Sequence, residues 1–256
     1  MLGFFFRHYD PWVERYVVFD DGSTDGSIDL LDAHPRVERR RLDRSETGSF
    51  VLSHRAIQNE VWQESRGDAD WVVVTALDEH LWCPQTTMAE LLARHAEEGV
   101  TAVPALGYQM LADDLPPLGE LLCTARTIGA PWPMMNKLSL FRPDALAETY
   151  FGPGRHTAAP IGDVRYPRRD ELLLLHYKYI GFDRLLRRQA LLRTGLGEVD
   201  HQRRFGHQYS WGEDQTRAHW EEFAAQAVDI AAPGPDHHTT HPGPRWWRAE
   251  AATERA

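Results

Sequence analysis

The sequence predicts an α/β fold in which a mostly parallel sheet is flanked by helices. Two continuous apolar runs, YVVF at 16–19 and WVVVT at 71–75, have the composition of strands that are buried on both faces. Segments of helical periodicity lie between and after them, and this alternation is typical of a parallel sheet. A chain of 256 residues is long enough for one large domain or two small ones, and it needs no disulfide or metal to fold.

The regular part of the pattern gives an order of elements. Each predicted strand is a short apolar run, and each predicted helix has one apolar face. In chain order we expect strand 16–19, helices 27–33 and 52–66, strand 71–75, helix 88–95, strands 101–103, 137–141 and 172–176, and helices 182–190 and 220–227.

Two segments depart from this pattern. Residues 107–136 hold several prolines and show little periodicity, so we expect a long excursion of loops near a site. Residues 229–256 are rich in Pro, Gly and His, which predicts a flexible tail. The remaining chain, residues 1–228, is expected to form a single domain.

The composition excludes several functions. The 28 Lys and Arg against 38 Asp and Glu give a formal net charge of −10, which argues against broad affinity for nucleic acid. No apolar run reaches the roughly 18–20 residues that a membrane span requires. The two cysteines, Cys83 and Cys123, lack the spacing of a zinc site or a disulfide framework. We therefore expect a cytoplasmic protein with no membrane span.

An oxygen-rich loop follows the first predicted strand. Asp20 and Asp21 end the strand, and a glycine turn then leads to Ser23 and Asp25. Carboxylates at the carboxyl edge of an α/β sheet can accept hydrogen bonds from a nucleobase or a ribose. The same residues can also serve only to shape a strand–turn–helix junction, with Asp25 or Ser23 as its N-cap. The residues alone leave both interpretations open.

A second acidic pair, Asp78 and Glu79, comes shortly after the strand at 71–75. In a parallel sheet the two strand ends open on one edge, so a divalent cation and a diphosphate could lie between the two acidic groups. Hard oxygen ligands suit magnesium or manganese. The pair favours a nucleotide site over a simple strand–turn junction.

Together, these segments resemble family 2-type glycosyltransferases with the GT-A fold. DDGSTDGS at 20–27 is similar to the nucleotide-binding loop of that family, and WVVVTALDEHLW at 71–82 is similar to the strand that carries its metal motif. The likeness covers roughly residues 2–210. Further segments that resemble a bacterial subgroup with an LLHYK block are residues 7–10, 136–141, 154–156 and 174–179.

The resemblance implies a Rossmann-like GT-A domain that transfers a sugar from a nucleotide-diphosphate sugar, in the first place a UDP-sugar, to a glycan or small-metabolite acceptor with inversion. It implies Mn²⁺ or Mg²⁺ on the diphosphate, with Asp78 and His176 as metal ligands. The only two lysines are expected to reach a phosphate or to lie solvated on the surface. The residues expected to bind the nucleotide sugar are Asp20, Asp21, Ser23, Asp25, Lys137 and Lys178.

The chain departs from the family pattern at two places. The metal motif of the family has the form DxD, but its first position here is Ala76, so metal binding should be weaker or should use Glu79. The family also begins with a strand that precedes the helix at 7–10, whereas this sequence starts inside that helix. We therefore expect a GT-A sheet that lacks its usual first strand.

The general base is the least defined part of the site. Asp113 and Asp114 lie in the proline-rich excursion, where an acceptor loop is expected, and Glu79 is a third candidate. Two other functions stay open: a degenerate transferase that only binds a nucleotide, and a metal-dependent nucleotidyltransferase or phosphohydrolase. The sequence specifies neither the donor sugar, nor the acceptor, nor the oligomeric state.

Overall fold

The computed structural model describes residues 1–234 and 236–248. Short 3-10 helices at Val61–Ser65, Pro133–Met135, Pro153–Arg155 and His207–Ser210 supplement the regular elements. The helices are α1 (Leu2–Tyr9), α2 (Ser27–Ala33), α3 (Phe50–Glu60), α4 (Met88–Glu97), α5 (Leu122–Ala125), α6 (Phe182–Thr194), α7 (Glu198–Gln202), α8 (Glu213–Ala224) and α9 (His237–Thr240). The strands are β1 (Tyr16–Asp20), β2 (Val37–Arg41), β3 (Val72–Val73), β4 (Glu79–Trp82), β5 (Ala102–Ala112), β6 (Ile128–Pro131), β7 (Lys137–Phe141), β8 (Leu146–Glu148), β9 (Ile161–Gly162), β10 (Leu173–Ile180) and β11 (Val228–Asp229).

The fold is α/β, but its main sheet is mixed. The strand order is β11-β6-β5-β10-β4, and β7 pairs with β5 on one side and with β3 on the other. Within the described residues, this sheet contains one parallel pair, β5 with β10, and its other pairs are antiparallel. Two small sheets complete the fold: parallel β1 and β2, and antiparallel β8 and β9. The prediction of a mostly parallel sheet is therefore wrong.

The physical reason is that an apolar run reports burial and not strand direction. Every residue of β5 except the last is buried, and so are most residues of β10. Helices and connecting segments cover both faces of this sheet, so its antiparallel strands carry the continuous apolar pattern usually found in parallel ones. The α/β class was accessible from the sequence, whereas the strand directions were not.

The expected loop excursion at 107–136 is also wrong, because β5 continues to Ala112 and β6 follows it. The apparent strand breakers inside β5 have local explanations. Pro104 lies where the pairing with β7 shifts register, and a proline is tolerated at such an irregularity. Gly107 lies against Met135 so closely that a Cβ atom would overlap it. Both residues therefore belong to a buried strand.

Helix α1 connects the small β1–β2 sheet to the main sheet. Phe5 and Tyr9 from α1, together with Tyr16 from β1, form a hydrophobic cluster against which Val73 and Leu77 also pack. The Tyr9 hydroxyl donates to the carbonyl of Glu79 at 2.9 Å. This packing fixes the loop after β1 relative to the segment that leads into β4.

Residues 236–248 pack against the main sheet, although the composition of 229–256 predicts a flexible tail. Burial and ion pairing explain the difference: Trp247 is 6% exposed, and its indole N–H donates to Asp170 at 2.8 Å. The Nε2 of His241 forms a hydrogen bond with the carbonyl oxygen of Gly107 at 2.8 Å. Position 235 and residues 249–256 lie outside the described part of the chain. Among the residues that are described, none of the helices has the length and hydrophobicity needed to cross a membrane.

Candidate functional site

One edge of the main sheet gathers the acidic pair and the LLHYK block. In the antiparallel register of β4 and β10, His176 lies opposite Glu79. The backbone N–H of Tyr177 donates to the carbonyl of Asp78 at 2.7 Å. The structure thus brings Asp78, Glu79 and His176 together. They meet because Glu79 begins an antiparallel strand, and not because two parallel strands end side by side.

Asp78 is buried and paired with cationic groups. Its Oδ2 accepts a hydrogen bond from Arg188 Nη2 at 2.9 Å, and His176 Nε2 lies 3.9 Å from the same oxygen. Burial alone would raise the pKa of Asp78, but Arg188 and His176 act in the opposite direction and bring the pKa below its ordinary value. Asp78 is therefore ionised at neutral pH.

Glu79 has both carboxylate oxygens occupied. Lys137 Nζ donates to Oε1 at 2.7 Å, and Arg155 donates to Oε2. Burial disfavours the charged form, but Lys137 and Arg155 hold the pKa of Glu79 well below its usual range. Glu79 is thus a saturated structural anion, poorly suited to the roles of base or metal ligand, and Lys137 is committed to it.

His176 is held as a neutral imidazole. Its Nδ1 lies 2.7 Å from the amide oxygen of Gln109, so Nδ1 is the donor, and Gln109 in turn donates to the backbone carbonyl of His176 at 2.9 Å. The ring stacks against Trp132. Burial lowers the pKa of His176 to about 4, so Nε2 presents a lone pair towards Asp78.

Lys178 lies two residues beyond His176, on the half-buried side of β10. Its ammonium group lies 4.8 Å from the centre of the Tyr209 ring, and it forms no ion pair with a carboxylate of the described chain. Burial lowers the pKa of Lys178 to about 8, so most of it is charged at neutral pH. The pairing of β10 with β5 is interrupted between His176 and Tyr179 by a bulge, which includes Lys178.

Helix α6 follows β10 directly and supplies two further cations. Gly181 adopts a positive φ of +70° at the junction, a conformation that glycine accommodates without strain. Arg184 and Arg188 are four residues apart and therefore share a face of the helix. Arg188 pairs with Asp78, and Arg184 interacts electrostatically with the same carboxylate.

The loop after β1 is shaped mainly by its own carboxylates. Asp20 accepts hydrogen bonds from the backbone N–H groups of Gly22 and Ser23, at 3.0 and 3.2 Å. Asp25 accepts from the N–H of Ser27 at 3.1 Å, at the start of α2. The junction interpretation accounts for Asp20 and Asp25, while the side chain of Ser23 is exposed.

Asp21 connects this loop to the far end of α6. Its carboxylate pairs with Arg44, and Arg44 also donates to the carbonyl of Gly195 at 2.6 Å, just after α6 ends. Asp21 itself remains exposed. The nucleotide loop predicted from sequence is thus tied to the helix that carries Arg184 and Arg188.

The other end of α6 borders a cleft with a volume of about 490 Å³. Asp113 and Asp114, just after β5, line this cleft together with Arg184 and Trp220. Asp114 accepts a hydrogen bond from Arg126 at 2.6 Å, whereas Asp113 forms no ion pair within the described residues. Arg184 lies one helical turn before Arg188, so the cleft adjoins the Asp78 edge.

The side chains at this edge do not fit a divalent cation. Ala76 offers no donor, and Glu79 is saturated. Asp78 shares its Oδ2 with the guanidinium of Arg188, which leaves the Nε2 of His176 as the other nearby ligand. Within residues 1–234 and 236–248, no group of three or more His, Cys, Asp or Glu is arranged to hold a metal. The Mn²⁺ or Mg²⁺ requirement implied by the resemblance stays a prediction.

Several side chains at this edge were not identified from the sequence. Arginines on a polar helix look like solvated surface, so Arg184 and Arg188 gave no signal beyond their i, i+4 spacing after the LLHYK strand. His54 faces the Glu79 cluster from α3, and burial lowers its pKa to about 4. Gln109 is hidden inside an apolar strand.

No protein family model matches the chain, and no curated protein is significantly similar to it. The fold and site define an α/β protein with a mixed sheet and a cation-rich site at one sheet edge. Any assignment of function therefore rests on the geometry of that edge and on the two sequence segments described above.

Proposed function

We propose that the protein is a glycosyltransferase that moves a sugar from a nucleoside-diphosphate sugar, in the first place a UDP-sugar, to a hydroxyl group of a glycan or small metabolite. The observation that carries this proposal is the course of α6. The helix starts beside the Asp113 cleft, and its residue Arg188 binds Asp78. Just after the helix ends, the carbonyl of Gly195 accepts a hydrogen bond from Arg44, which also pairs with Asp21. At about 1.5 Å per residue, α6 is about 20 Å long, which suits an extended nucleotide sugar and an acceptor.

The groups along α6 differ chemically, and each fits one part of the two substrates. The exposed carboxylate of Asp21 suits the base or ribose, both of which carry hydrogen-bond donors. Arg188 and Lys178 suit the diphosphate, because fixed cations stabilise charge that develops on a leaving group. The Asp113 cleft, with Trp220 on its wall, suits a sugar acceptor.

The transfer is a direct displacement with inversion. The acceptor hydroxyl oxygen forms a bond to the anomeric carbon, while the bond between that carbon and the diphosphate oxygen breaks. The electron pair of the broken bond leaves with the nucleoside diphosphate. The hydroxyl proton passes to Asp113, which as general base contributes about 10²–10⁴-fold to the rate.

The test combines binding with turnover on the full chain. UDP, GDP, dTDP and CDP are screened by thermal shift, and at 100 times its Kd a ligand that binds only the folded protein adds about 2.7 kcal/mol of stability. The matching nucleotide sugars are then assayed for release of the diphosphate. Asp113→Asn should lower turnover about 10²-fold or more with unchanged affinity for the diphosphate, and Asp114→Asn is its matched control. If no nucleotide shifts the midpoint, the proposal fails.

A second candidate is a nucleotide-binding protein without transfer activity. Ala76 favours it, and so does the use of Asp20 to hold the turn instead of a ligand. Binding of a nucleoside diphosphate without hydrolysis or transfer of any matching sugar would identify this function.

A further inference from the structure

On the basis of the glycosyltransferase function, we propose that Arg188 and Lys178, and not a divalent cation, compensate the negative charge of the departing nucleoside diphosphate. This departs from the metal-assisted reaction that the sequence resemblance implies. It gives two residues of β10 and α6 a direct role in the chemistry.

The first argument is the charge already present. Among the described residues, the carboxylates at this edge are Asp78 and Glu79, and both are ionised. Five cationic side chains surround them: Lys137, Arg155, Lys178, Arg184 and Arg188. A divalent cation would add to this excess of positive charge, whereas a diphosphate would neutralise it.

The second argument is that buried N–H donors have no partner. The Nε of Arg188 and the Nη1 of Arg184 are buried and make no hydrogen bond within the described residues. A buried donor without an acceptor is costly, so both groups are poised for a ligand that brings oxygen acceptors. A phosphate group provides such acceptors, because two of its oxygens can accept from two adjacent N–H groups of a guanidinium.

The third argument is the position of Arg188. Its guanidinium already binds the Oδ2 of Asp78 at 2.9 Å, so a divalent cation could reach only the other carboxylate oxygen, Oδ1. Its side chain is 35% exposed and can therefore contact an incoming diphosphate. Lys178 contacts the Tyr209 ring and interacts electrostatically with Asp78, and within the described residues it forms no ion pair.

The step balances without a metal. When the bond between the anomeric carbon and the diphosphate oxygen breaks, that oxygen gains the electron pair and a full negative charge. Arg188 and Lys178 stabilise the charge through hydrogen bonds and the electrostatic field, with no redox change. The acceptor proton ends on Asp113, as in the proposed reaction.

The experiment measures binding of the nucleoside diphosphates by calorimetry, in EDTA and in Mn²⁺. We expect the Kd in EDTA to lie within threefold of the Kd in Mn²⁺. Arg188→Ala should weaken binding at least tenfold. Arg193→Ala, which removes the same charge from an exposed position of α6, should leave it unchanged.

Because Arg188→Ala leaves a buried carboxylate unpaired and can impair folding, the comparison is repeated in the neutral Asp78→Asn background. Asp78→Asn should bind the diphosphate several-fold more tightly in EDTA, since Arg188 is released from its partner. Adding Arg188→Ala to it should then cost at least tenfold.

The outcomes separate the two proposals. Binding that requires Mn²⁺ and is lost in Asp78→Asn would overturn the inference about Arg188 and Lys178 while supporting the glycosyltransferase. Absence of binding for every nucleotide, in EDTA and in Mn²⁺, would overturn the glycosyltransferase and this inference together.

Discussion

Two buried carboxylates bound by arginine lie along β10, one before the strand and one beside its middle, and they are built differently. Before the strand, Asp170 accepts from Arg245 on one oxygen and from Arg248 and the Trp247 indole on the other, at 2.6–2.8 Å. Beside its middle, Asp78 has Arg188 and the neutral His176 next to Oδ2, and no described residue donates a hydrogen bond to Oδ1.

The difference distinguishes a structural carboxylate from one that is available to a ligand. At Asp170, three donors from one C-terminal segment match the two oxygens, so the cluster holds that segment to the sheet. At Asp78, an oxygen and two arginine N–H groups remain open. Glu79, next to Asp78, follows the structural pattern, since its two cation partners are almost wholly buried.

Acid should have the largest effect on the stability of the protein, because it acts on several buried groups at once. Burial lowers the pKa of His8, His54 and His176 to about 4, against an ordinary value of 6.5. Their folded pKa values are depressed, so the unfolded chain binds more protons between pH 6.5 and 4, and stability falls as the pH falls through that window. Urea unfolding at pH 7, 6 and 5 should show a loss of about 1–2 kcal/mol per histidine at pH 5.

The slope of that loss identifies the groups responsible. In His176→Gln, the free energy of unfolding should fall by about 1–2 kcal/mol less between pH 7 and pH 5, which is the contribution of one histidine. A free energy of unfolding that is constant from pH 7 to pH 5 would contradict the neutral, buried state of these imidazoles.

Removing the saturated carboxylate beside the site should have the next largest effect. Glu79→Gln leaves Lys137 and Arg155 buried without a counter-charge, and breaking such a pair costs about 3–5 kcal/mol. Urea unfolding at pH 7 measures it. A cost below about 1 kcal/mol would mean that these cations reach water or another anion, and Glu79 would then resemble Asp78 more than Asp170.

Asp170→Asn should destabilise the protein by less, about 2 kcal/mol, because the Arg248 side chain is 32% exposed and can be hydrated. Nucleotide affinity should not change, since this cluster lies before β10 and not beside its middle. Asp163→Asn is a suitable control, because its exposed pair with Arg165 should contribute about 0.5 kcal/mol or less. A loss of nucleotide binding in Asp170→Asn would show that the two carboxylate clusters are coupled.

The smallest expected effect concerns the ring that covers Lys178. Tyr209→Leu removes a cation–π contact at 4.8 Å, which contributes about 0.5–1 kcal/mol at a partly exposed site. The thermal midpoint of the ligand-free protein measures the loss. Tyr209→Phe, which keeps the ring, should retain the midpoint of the unsubstituted protein. If Phe and Leu behave alike, the ring contributes no cation–π stabilisation.

The sequence predicted the parts of the site that local patterns encode. The apolar run before His176 identified β10. The association of Asp78 with His176 came from the family resemblance and not from a local pattern, and in the structure His176 Nε2 lies 3.9 Å from Asp78 Oδ2. Strand direction was not predictable, because burial of both faces produces the same apolar run in a parallel or an antiparallel strand. The fit between β5 and Met135 at Gly107 depends on contacts distant in the chain, which a sequence pattern does not contain.

The charges of the site were harder to predict than its position. Arg188 and Arg155 acquire their meaning only from the carboxylates that the fold brings to them. The two lysines show the same limit: Lys137 is committed to Glu79, while Lys178 stays available, although both lie in strands with similar apolar neighbours. Pairing between distant side chains decides the difference.

The bulge in β10 has a consequence for the tolerated length of the chain. Between His176 and Tyr179 the strand has one more residue than β5 opposite it, and side chains alternate across a sheet with a period of two. Loss of one residue here would either remove the bulge that includes Lys178 or shift the register of the residues that follow it, which would turn their side chains to the opposite face. The number of residues in this segment is therefore more constrained than their identity. We expect it to tolerate substitutions better than insertions or deletions.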